Sequence, residues 1–538
     1  MKCPDEIGAR QVVKPESRAD TTQRCVAFSF LGPKKQIRPR NAYVFGKKLF
    51  LLTRDKVPSE RKILLFFTYS CYRIAVMAPR KKPKYAKPLK EFSDKFLLRS
   101  KKLKKIKPTW IILLSFLALV LIGSLFLFLP FASTNGGLKY IDCLFLATSA
   151  VCVTGLSPVT LASELTVYGK IVMGILIQMG GLGLVTIISF FTLALRKDFK
   201  LGQAVLIREA LNQEGFKGVR HIIIHIIIYT GAFELTGFLL TLPVFLRMPE
   251  YNVLQAIGIS LFHSISAFNN AGFDIIGDSS LLAFSDNIYF NLVTCGLIIF
   301  GGIGFLVWDD IFFTRNPRKF STQTKIVLIT YFTILAVSFL SIWGLSQVDG
   351  QEMTWLEALS YSVNLRTAGF ATIDTTKLGS GNLLLSQALM FIGGNPLSTA
   401  GGIKTTTIFV ILATLVSFIR SKKTIVFRRR ITQDTKIKAF LLFGFGVVAI
   451  IVGSAVIGVL NPAFTMEQIT YEATSAFGTV GFSQGITPNL HWGSKLVLCF
   501  LMYTGRVSPV SYLSLFNNTF LNVPNDNIDY LDTDIMIG

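Results

Sequence analysis

Long apolar stretches alternate with short polar linkers along the chain from residue 110 onward. Eight of the stretches hold about 20 residues or more, the length at which an α-helix crosses roughly 30 Å of hydrocarbon. They predict eight transmembrane helices in four consecutive pairs. The predicted spans are 110–131, 171–195, 221–246, 288–313, 326–345, 384–418, 440–460 and 496–515.

A shorter and less apolar segment lies between the two spans of each pair. These segments predict helices too short to cross a membrane, at 142–151, 261–269, 355–364 and 468–477. We call such a re-entrant helix a pore helix. Each is followed by a small residue or Thr, then Gly, then an apolar or aromatic residue. The four motifs consist of Val153, Thr154, Gly155 and Leu156; Asn270, Ala271, Gly272 and Phe273; Thr367, Ala368, Gly369 and Phe370; and Thr479, Val480, Gly481 and Phe482.

This repeated order of span, pore helix, motif and span predicts an all-α membrane protein. Eight transmembrane helices and four re-entrant pore helices would form four membrane-pore-membrane repeats in a pseudo-fourfold arrangement around one pore. We expect the repeats at 108–200, 201–318, 319–425 and 426–518. A basic segment, 1–107, precedes them, and a carboxyl-terminal tail, 519–538, follows.

The chemistry of the motifs favours a cation filter. Irregular backbone survives at membrane depth where it is buried in protein or lines a water-filled path, and Gly adopts the sharp turns this requires. The carboxyl end of each pore helix carries partial negative charge, and a ring of carbonyl oxygens can replace the water shell of K+. A single Gly more often serves a tight turn or helix packing. Four in the same context predict a potassium selectivity filter.

Composition and charge place the chain in a membrane. Hydrophobic residues make up 51% of it and charged residues only 16%. The net charge of +24 comes mainly from residues 1–107, which hold 29 Lys or Arg against 8 Asp or Glu. This segment contains no recognisable nucleic-acid-binding module, so cytoplasmic contact with anionic lipid is favoured over nucleic-acid binding. We expect residues 1–76 either to be disordered or to precede a translation start at Met77.

The basic linkers orient the spans. Linkers 196–220, 315–325 and 420–436 are rich in Lys and Arg and are therefore expected to be cytoplasmic, as is the amino terminus, which places the Gly motifs on the outer side. Acidic residues on that side either raise the local cation concentration or are ordinary solvated loop residues. These residues are Asp274, Asp278, Asp286, Asp349, Glu352 and Asp374.

No enzyme motif is evident. The seven Cys residues form no CxxC pair, which favours packing roles over a zinc site or a disulfide framework. His221 and His225 have the i, i+4 spacing of metal ligands, but without a neighbouring acid they favour a helix surface. No nucleophile-base set, phosphate-binding loop or dinucleotide motif is present, so the chain is not expected to be an enzyme or to bind a cofactor.

The span 384–418 is interrupted by a segment rich in Gly, Pro, Ser and Thr, residues 393–407. It is either a loop between two spans or a break at membrane depth. Residues 384–392 are too short to cross alone, which favours a break that lines the cavity below the filter. The candidate residues of this segment are Gly393, Gly394, Ser398, Thr399, Gly401, Gly402 and Lys404.

Charged residues within the spans need polar partners. Arg506 in the last span would cost roughly 2.5 to 3.5 kcal/mol there, so we expect it either to contact the 393–407 segment and gate the pore or to bond helix carbonyls with no gating role. Lys404 either lies near that segment or reaches the cytoplasm. Glu234 is expected to be a structural partner. Arg366 is expected to lie behind the filter and bond Glu357 or Glu472.

The motifs resemble those of the potassium transporter superfamily that includes the bacterial KtrB and TrkH subunits and the plant and fungal HKT and Trk proteins. The resemblance covers residues 108–538, and segments 150–156, 366–370 and 475–481 are similar to KtrB in particular. It implies a gated potassium pore in which one Gly of each repeat lines the filter and the 393–407 loop is the gate. Gly155 stands where many sodium-preferring members have Ser. The small residue that usually follows the gate Pro is Leu397 here.

The resemblance also implies partners and location. It predicts a homodimer with one pore per subunit, the tail 519–538 at the dimer interface, and a separate cytoplasmic, KtrA-like nucleotide-binding ring. Transport would be stimulated by Na+ and take place in a bacterial cell membrane. Three alternatives stay open: a sodium or mixed Na+/K+ transporter of the same superfamily, a secondary carrier with alternating access, and a structural subunit.

Overall fold

A computed structural model describes residues 108–134, 136–194, 219–277, 280–350 and 353–507. Several predictions fall on other parts of the chain: the basic segment 1–107 with Met77, most of the linker 196–220, Asp278, Glu352 and the tail 519–538. These lie outside the described residues.

The described chain is mainly helical, and its helices follow the predicted order. In chain order they are α1 (Pro108–Phe128), α2 (Tyr140–Cys152), α3 (Leu161–Glu164), α4 (Val167–Leu182), α5 (Leu184–Ala194), α6 (Val219–Leu246), α7 (Val253–Phe268), α8 (Ile288–Ile303), α9 (Phe305–Asp309), α10 (Thr322–Val348), α11 (Trp355–Asn364), α12 (Ser380–Phe391), α13 (Thr405–Ile419), α14 (Gln433–Leu460), α15 (Met466–Gly478) and α16 (Trp492–Val507).

Short elements connect the helices. Single 3₁₀ turns occupy Pro130–Ala132, Ser280–Phe284, Pro317–Lys319, Thr375–Lys377 and Thr487–Asn489, and a π-helical turn, Asp310–Thr314, follows α9. The two strands, β1 (Ile425–Val426) and β2 (Arg429–Arg430), pair antiparallel in the basic linker between α13 and α14.

The first helix of each repeat is long and continuous. Helices α1, α6, α10 and α14 contain 21, 28, 27 and 28 residues, enough at about 1.5 Å per residue to cross a bilayer. Their apolar side chains include exposed ones such as Val337 and Leu340 of α10 and Ile451 of α14. Large apolar side chains on the outside of a membrane protein face lipid. These four helices are the outer wall of the repeats.

Helices α2, α7, α11 and α15 are the pore helices, with 13, 16, 10 and 13 residues. Three of them begin with a capping box, in which the N-cap side chain and the side chain three residues later each accept from the other's backbone N–H. The pairs are Asn252 with Gln255, Thr354 with Glu357, and Thr465 with Gln468. The caps fix where each helix begins, and its buried carboxyl end leads directly into the Gly motif.

The second helix of each of the first three repeats is short and ends at a break. Helix α4 ends at Gly183 (φ 77°), and α8 ends at Gly304 (φ 103°), where the chain bends by 94° into α9. Helix α12 ends before the 393–407 segment, as predicted. The expectation of unbroken spans at 171–195 and 288–313 is wrong. Both contain two adjacent Gly residues, an apolar residue and a third Gly, and the positive φ of that third Gly ends the helix.

The repeats close into a ring through one repeated contact. The second helix of each repeat packs against the pore helix of the next: α4 on α7, α8 on α11, and α12 on α15. The last pair, α16 on α2, returns from repeat four to repeat one. This is the predicted pseudo-fourfold arrangement of membrane-pore-membrane units.

Candidate ion-conducting site

The four Gly motifs meet at the centre of the ring. A Cβ added at Gly155 would lie 2.7 Å from the carbonyl oxygen of Ala271, closer than real Cβ atoms approach. Cβ atoms added at the other three Gly residues would also meet a carbonyl oxygen. At Gly272 it is that of Ala368, at Gly369 that of Val480, and at Gly481 that of Thr154. Each motif thus contacts the next and the fourth contacts the first. Only Gly fits at these positions, since any side chain would displace main-chain atoms.

The backbone of the four motifs is also equivalent. Each Gly has positive φ, and so does the residue two positions before it. The φ values are 98° at Gly155, 68° at Gly272, 67° at Gly369 and 101° at Gly481, with 57° at Val153, 59° at Asn270, 70° at Thr367 and 52° at Thr479. Left-handed conformations are costly for non-Gly residues. Because the non-Gly residue two positions before the Gly adopts one in all four motifs, the surrounding structure must enforce this conformation.

This geometry brings four carbonyl oxygens to the ring. They belong to Thr154, Ala271, Ala368 and Val480, and each lies beside the Gly of an adjacent motif. The same four residues have fully or almost fully buried side chains. The ring therefore offers uncharged oxygen atoms from the backbone, which are ligands for a hard monovalent cation.

Ser side chains hold the motifs from behind. The hydroxyl of Ser149 accepts the N–H of Gly155 at 3.2 Å, and Ser475 accepts that of Gly481 at 3.0 Å. In the second repeat Ser266 accepts the N–H of Phe273 at 3.0 Å. The third repeat uses Asn364 instead, whose Oδ1 accepts from Phe370 at 3.1 Å. Sequence reasoning missed these residues, although a Ser six positions before the Gly in three repeats was a readable signal.

A buried ion pair joins the last repeat to the first. Lys495 of α16 lies 2.7 Å from the Asp142 carboxylate in the first turn of α2, and both side chains are at most 12% exposed. Lys495 also donates to the carbonyl oxygen of Pro488 at 3.2 Å. The pair secures the junction at which the ring closes. It was not predicted, because the two residues are far apart in the sequence.

Arg366 is buried beside the third Gly motif, but its predicted partners are wrong. Its guanidinium donates to the carbonyl oxygen of Gly393 at 3.1 Å and lies 4.5 Å from the ring centre of Tyr331. Glu357 caps the far end of the same pore helix, about nine residues away. Glu472 accepts hydrogen bonds from Ser483 and Thr487 of its own repeat. Arg366 therefore connects the third Gly motif to the 393–407 loop.

Glu234 has the structural contacts expected of it. Its carboxylate accepts from Asn269 at 3.1 Å, and Asn269 also donates to Gln178 at 2.8 Å. Asn269 directly follows the second pore helix. The three side chains position the carboxyl end of that helix.

The 393–407 loop lies against the carboxyl ends of the pore helices. Thr399 donates to the carbonyl oxygen of Phe268, the last residue of α7, at 3.1 Å. A Cβ at Gly401 would overlap the side chain of Thr479 in the fourth motif. Asn395 donates to the Gly302 carbonyl at 2.9 Å. The loop thus lies on the side of the ring where the pore helices end and contacts several repeats. The Ser398 hydroxyl donates to the Asn395 carbonyl at 2.7 Å.

Leu397 adopts positive φ, 53°, inside this loop. Its carbonyl oxygen accepts the N–H of Phe305 at 2.8 Å, and its side chain packs against the buried apolar cluster that includes Phe268 and Phe305. The larger residue at this position is therefore accommodated by apolar packing.

Two cationic side chains contact the loop. Arg506 donates to the Thr399 carbonyl oxygen and also to the carbonyls of Gly180 (2.6 Å) and Gly181 (2.9 Å) at the end of α4. Lys404 donates to the carbonyl of Ala400 at 2.7 Å, so it turns toward the loop. The expected contact between Arg506 and the 393–407 segment is present.

Two of the acidic residues predicted to be outside, Asp274 and Asp374, have local contacts. Asp274 accepts from Ser280 at 2.5 Å, and burial raises its pKa above the ordinary value. Asp374 caps the Thr375–Lys377 turn, and its hydrogen bonds from Thr376 hold its pKa below the ordinary value. These contacts agree with ordinary loop roles, and Asp374 also forms an ion pair with Lys377 at 3.5 Å.

Among the described residues, Cys143, Cys152, Cys295 and Cys499 are free and buried, which fits the predicted packing roles. The expectation that His221 and His225 have no neighbouring acid is wrong, because Asp309 lies beside them. Asp309 is distant in sequence and reaches the pair through the bend at Gly304.

A ring of membrane-pore-membrane repeats with backbone oxygens at its centre defines the class of the protein, a channel-like membrane transport protein. Residues 101–526 match the family model of TrkH, described as a cation transport protein. The chain belongs to the TrkH family of cation transport proteins. The resemblance to these potassium transporters drawn from the motifs is confirmed.

Relatives cover nearly the same length. The chain is 37% identical over 459 residues to the potassium/sodium uptake protein NtpJ of Enterococcus hirae, covering 82% of this chain and 100% of that protein. It is 35% identical over 442 residues to the Ktr system potassium uptake protein B of Bacillus subtilis, covering 81% and 97%. The crystal structure of the potassium transporter TrkH from Vibrio parahaemolyticus shares the fold, with a TM-score of 0.62 at 18% identity, covering 78% and 87%.

Proposed function

We propose that the protein takes up potassium ions through a gated pore in a bacterial cell membrane. The observation that carries this proposal is the closed ring of Gly155, Gly272, Gly369 and Gly481 with a neighbouring carbonyl at each. Such a ring can replace the water shell of K+, and the carboxyl ends of the pore helices add partial negative charge. Relatives named for potassium uptake support this choice of ion.

The 393–407 loop is the gate in this proposal. It crosses the inner side of the ring, and the charges of Arg506 and Lys404 beside it oppose the passage of cations. Opening requires the loop to move away from the Phe268 and Thr479 region, which breaks its bond to Arg506. Gly393, Gly394, Gly401 and Gly402 allow close packing in the closed state, and Ser398 and Thr399 supply hydrogen bonds that hold it.

Partners and regulation complete the proposal. The family resemblance supports a homodimer, a separate cytoplasmic KtrA-like nucleotide-binding ring that moves the gate, and stimulation by Na+. The basic segment 1–107 contacts anionic lipid on the cytoplasmic side, and the tail 519–538 lies at the dimer interface.

A mixed Na+/K+ transporter is the second candidate, since the Enterococcus hirae relative is named for both ions. A carrier with alternating access is less favoured, because its site would lie between paired or inverted repeats at the midplane. Four repeats around one ring favour a pore.

Growth rescue tests the proposal. The full chain is expressed in a cell that lacks potassium uptake, and growth is measured at low external potassium with and without added sodium. We expect rescue at low potassium and stronger rescue with sodium. Failure to restore growth with the protein present in the membrane would refute potassium uptake, and accumulation of both sodium and potassium would favour the second candidate.

A further inference from the structure

Three metal-ligating side chains meet at one end of repeat two, away from the filter. His221 and His225 lie one turn apart on α6, and Asp309 is the last residue of α9. The Nδ1 atom of His225 is 2.7 Å from one Asp309 oxygen, and that of His221 is 3.8 Å from the other. One ligand atom from each residue lies within 4.8 Å of both others.

These distances fit a single small ion. Zinc binds His nitrogen and carboxylate oxygen at about 2.0 to 2.2 Å, so tetrahedral ligand atoms lie about 3.3 to 3.6 Å apart. The 2.7 and 3.8 Å separations bracket that range, and small side-chain rotations reach it. Two His ligands and one carboxylate leave a fourth position for water. The imidazole ligands favour zinc and similar transition metals over Ca²⁺ or Mg²⁺.

The surroundings hold the ligands in place. Tyr229 donates to Asp309 at 3.0 Å, the kind of outer contact that orients a carboxylate ligand. The ring of Phe313 stacks on that of His225, with centroids 4.9 Å apart and planes 5° from parallel. His221 is 58% exposed, so an ion can reach the cluster from outside. A plain His225–Asp309 hydrogen bond would account for two of the residues but not for His221 on the same side.

The cluster is linked to the loop that crosses the ring. Helix α9 ends at Asp309 and begins at Phe305, whose N–H donates to the Leu397 carbonyl at 2.8 Å. The preceding residue, Gly304, packs against Pro396. A Cβ added at Gly304 would lie 2.7 Å from the Pro396 carbonyl oxygen. An ion that joins α6 to Asp309 would therefore hold helix α9 in place. The 393–407 loop packs against the start of that helix.

We propose that His221, His225 and Asp309 bind a divalent transition-metal ion, zinc or a close chemical equivalent, and that the bound ion holds the loop closed. The binding stands on the cluster alone. The effect on the loop rests on the proposed pore function.

Metal binding is tested on the purified full chain in detergent. Zn²⁺ titration calorimetry and the visible absorption of bound Co²⁺ are compared for the wild type, His221→Ala, Asp309→Asn and His491→Ala. His491 is the matched control, because it lies in a different loop, against Trp492. We expect the wild type and His491→Ala to bind one more ion per chain than His221→Ala and Asp309→Asn. Alternatively, the latter two variants bind the ion at least about tenfold more weakly. Unchanged stoichiometry and affinity in both His221→Ala and Asp309→Asn would overturn the site.

The coupling to the loop has a separate readout. Micromolar Zn²⁺ is expected to slow cation flux severalfold in wild-type proteoliposomes and to leave His221→Ala unaffected. Flux in the wild type that is equally fast with zinc bound would overturn the coupling. Proteoliposomes without any cation flux would contradict the pore function, whereas the titrations would still decide the metal site. Because His221 is exposed, His221→Ala is expected to fold like the wild type. The thermal unfolding temperature of the metal-free proteins checks this.

Discussion

The guanidinium of Arg506 donates a hydrogen bond to the carbonyl oxygen of Thr399, which ties the last described helix to the loop that interrupts repeat three. The same side chain reaches Gly180 and Gly181 at the end of α4. One residue thus joins repeats one, three and four on the side of the ring where the pore helices end. Its bonds must rearrange whenever the loop moves.

Replacing Arg506 is expected to favour the open loop. Loss of a hydrogen bond from a charged group changes a conformational equilibrium by about 1.5 to 3 kcal/mol, so Arg506→Ala should raise cation flux in proteoliposomes about tenfold or more if opening limits the rate. Arg506→Lys keeps the charge but cannot bridge the same carbonyls, and an intermediate flux is expected. Unchanged flux in Arg506→Ala, with unchanged regulation, would show that the residue only packs helices.

The Asp142–Lys495 pair is expected to stabilise ring closure. Removing one partner of a buried ion pair leaves an unpaired charge and costs about 3 to 5 kcal/mol. Asp142→Asn and Lys495→Met should each lower the thermal unfolding temperature, and the double variant should recover part of the loss. A double variant that is less stable than both single variants would contradict a pairwise role.

Removing a Ser hydroxyl behind a Gly motif is expected to reduce potassium preference and thermal stability more than removing a Ser hydroxyl elsewhere in the pore helices. Ser475→Ala leaves the Gly481 N–H without its partner, a loss of about 1 to 3 kcal/mol for a buried donor. We expect lower potassium preference and lower thermal stability. Ser362→Ala is the control, because that hydroxyl bonds only the Leu359 carbonyl of its own helix among the contacts described. Equal effects of the two variants would argue against a supporting role at the filter.

The ring of Tyr331 is expected to stabilise the buried Arg366 charge. A desolvated cation over an aromatic ring gains about 2 kcal/mol, so Tyr331→Leu should lower the thermal unfolding temperature and loosen the loop contact at Gly393. Tyr331→Phe keeps the ring and should behave like the wild type. If Tyr331→Phe is as destabilised as Tyr331→Leu, the hydroxyl rather than the ring is the important group.

Much of this architecture was predictable because its sequence features recur in each repeat. The long apolar spans, the four short segments and the four Gly residues each recur, so one repeat supports the reading of the others. The interrupted span at 393–407 was readable from its Gly and Pro content. The breaks at Gly183 and Gly304 were missed, since Gly within an apolar run does not lower its hydropathy.

Contacts between distant residues could not be predicted. Nothing near Asp142 in the sequence points to Lys495. Arg366 was predicted to bond Glu357 or Glu472, and neither is its partner. Asp309 reaches His225 only through the 94° bend after α8. Side-chain partners of this kind depend on how the repeats pack, which a single sequence does not reveal.

The ring of Gly residues is tested most directly by potassium and sodium influx into proteoliposomes driven by an inside-negative potential. Gly155→Ser and Gly369→Ser are compared with Gly231→Ser, whose added Cβ on α6 would meet nothing within 4 Å. We predict that the wild type and Gly231→Ser admit potassium in preference to sodium and that both ring variants lose this preference. Potassium preference retained in both Gly155→Ser and Gly369→Ser would contradict the assignment of the ring as the selectivity filter.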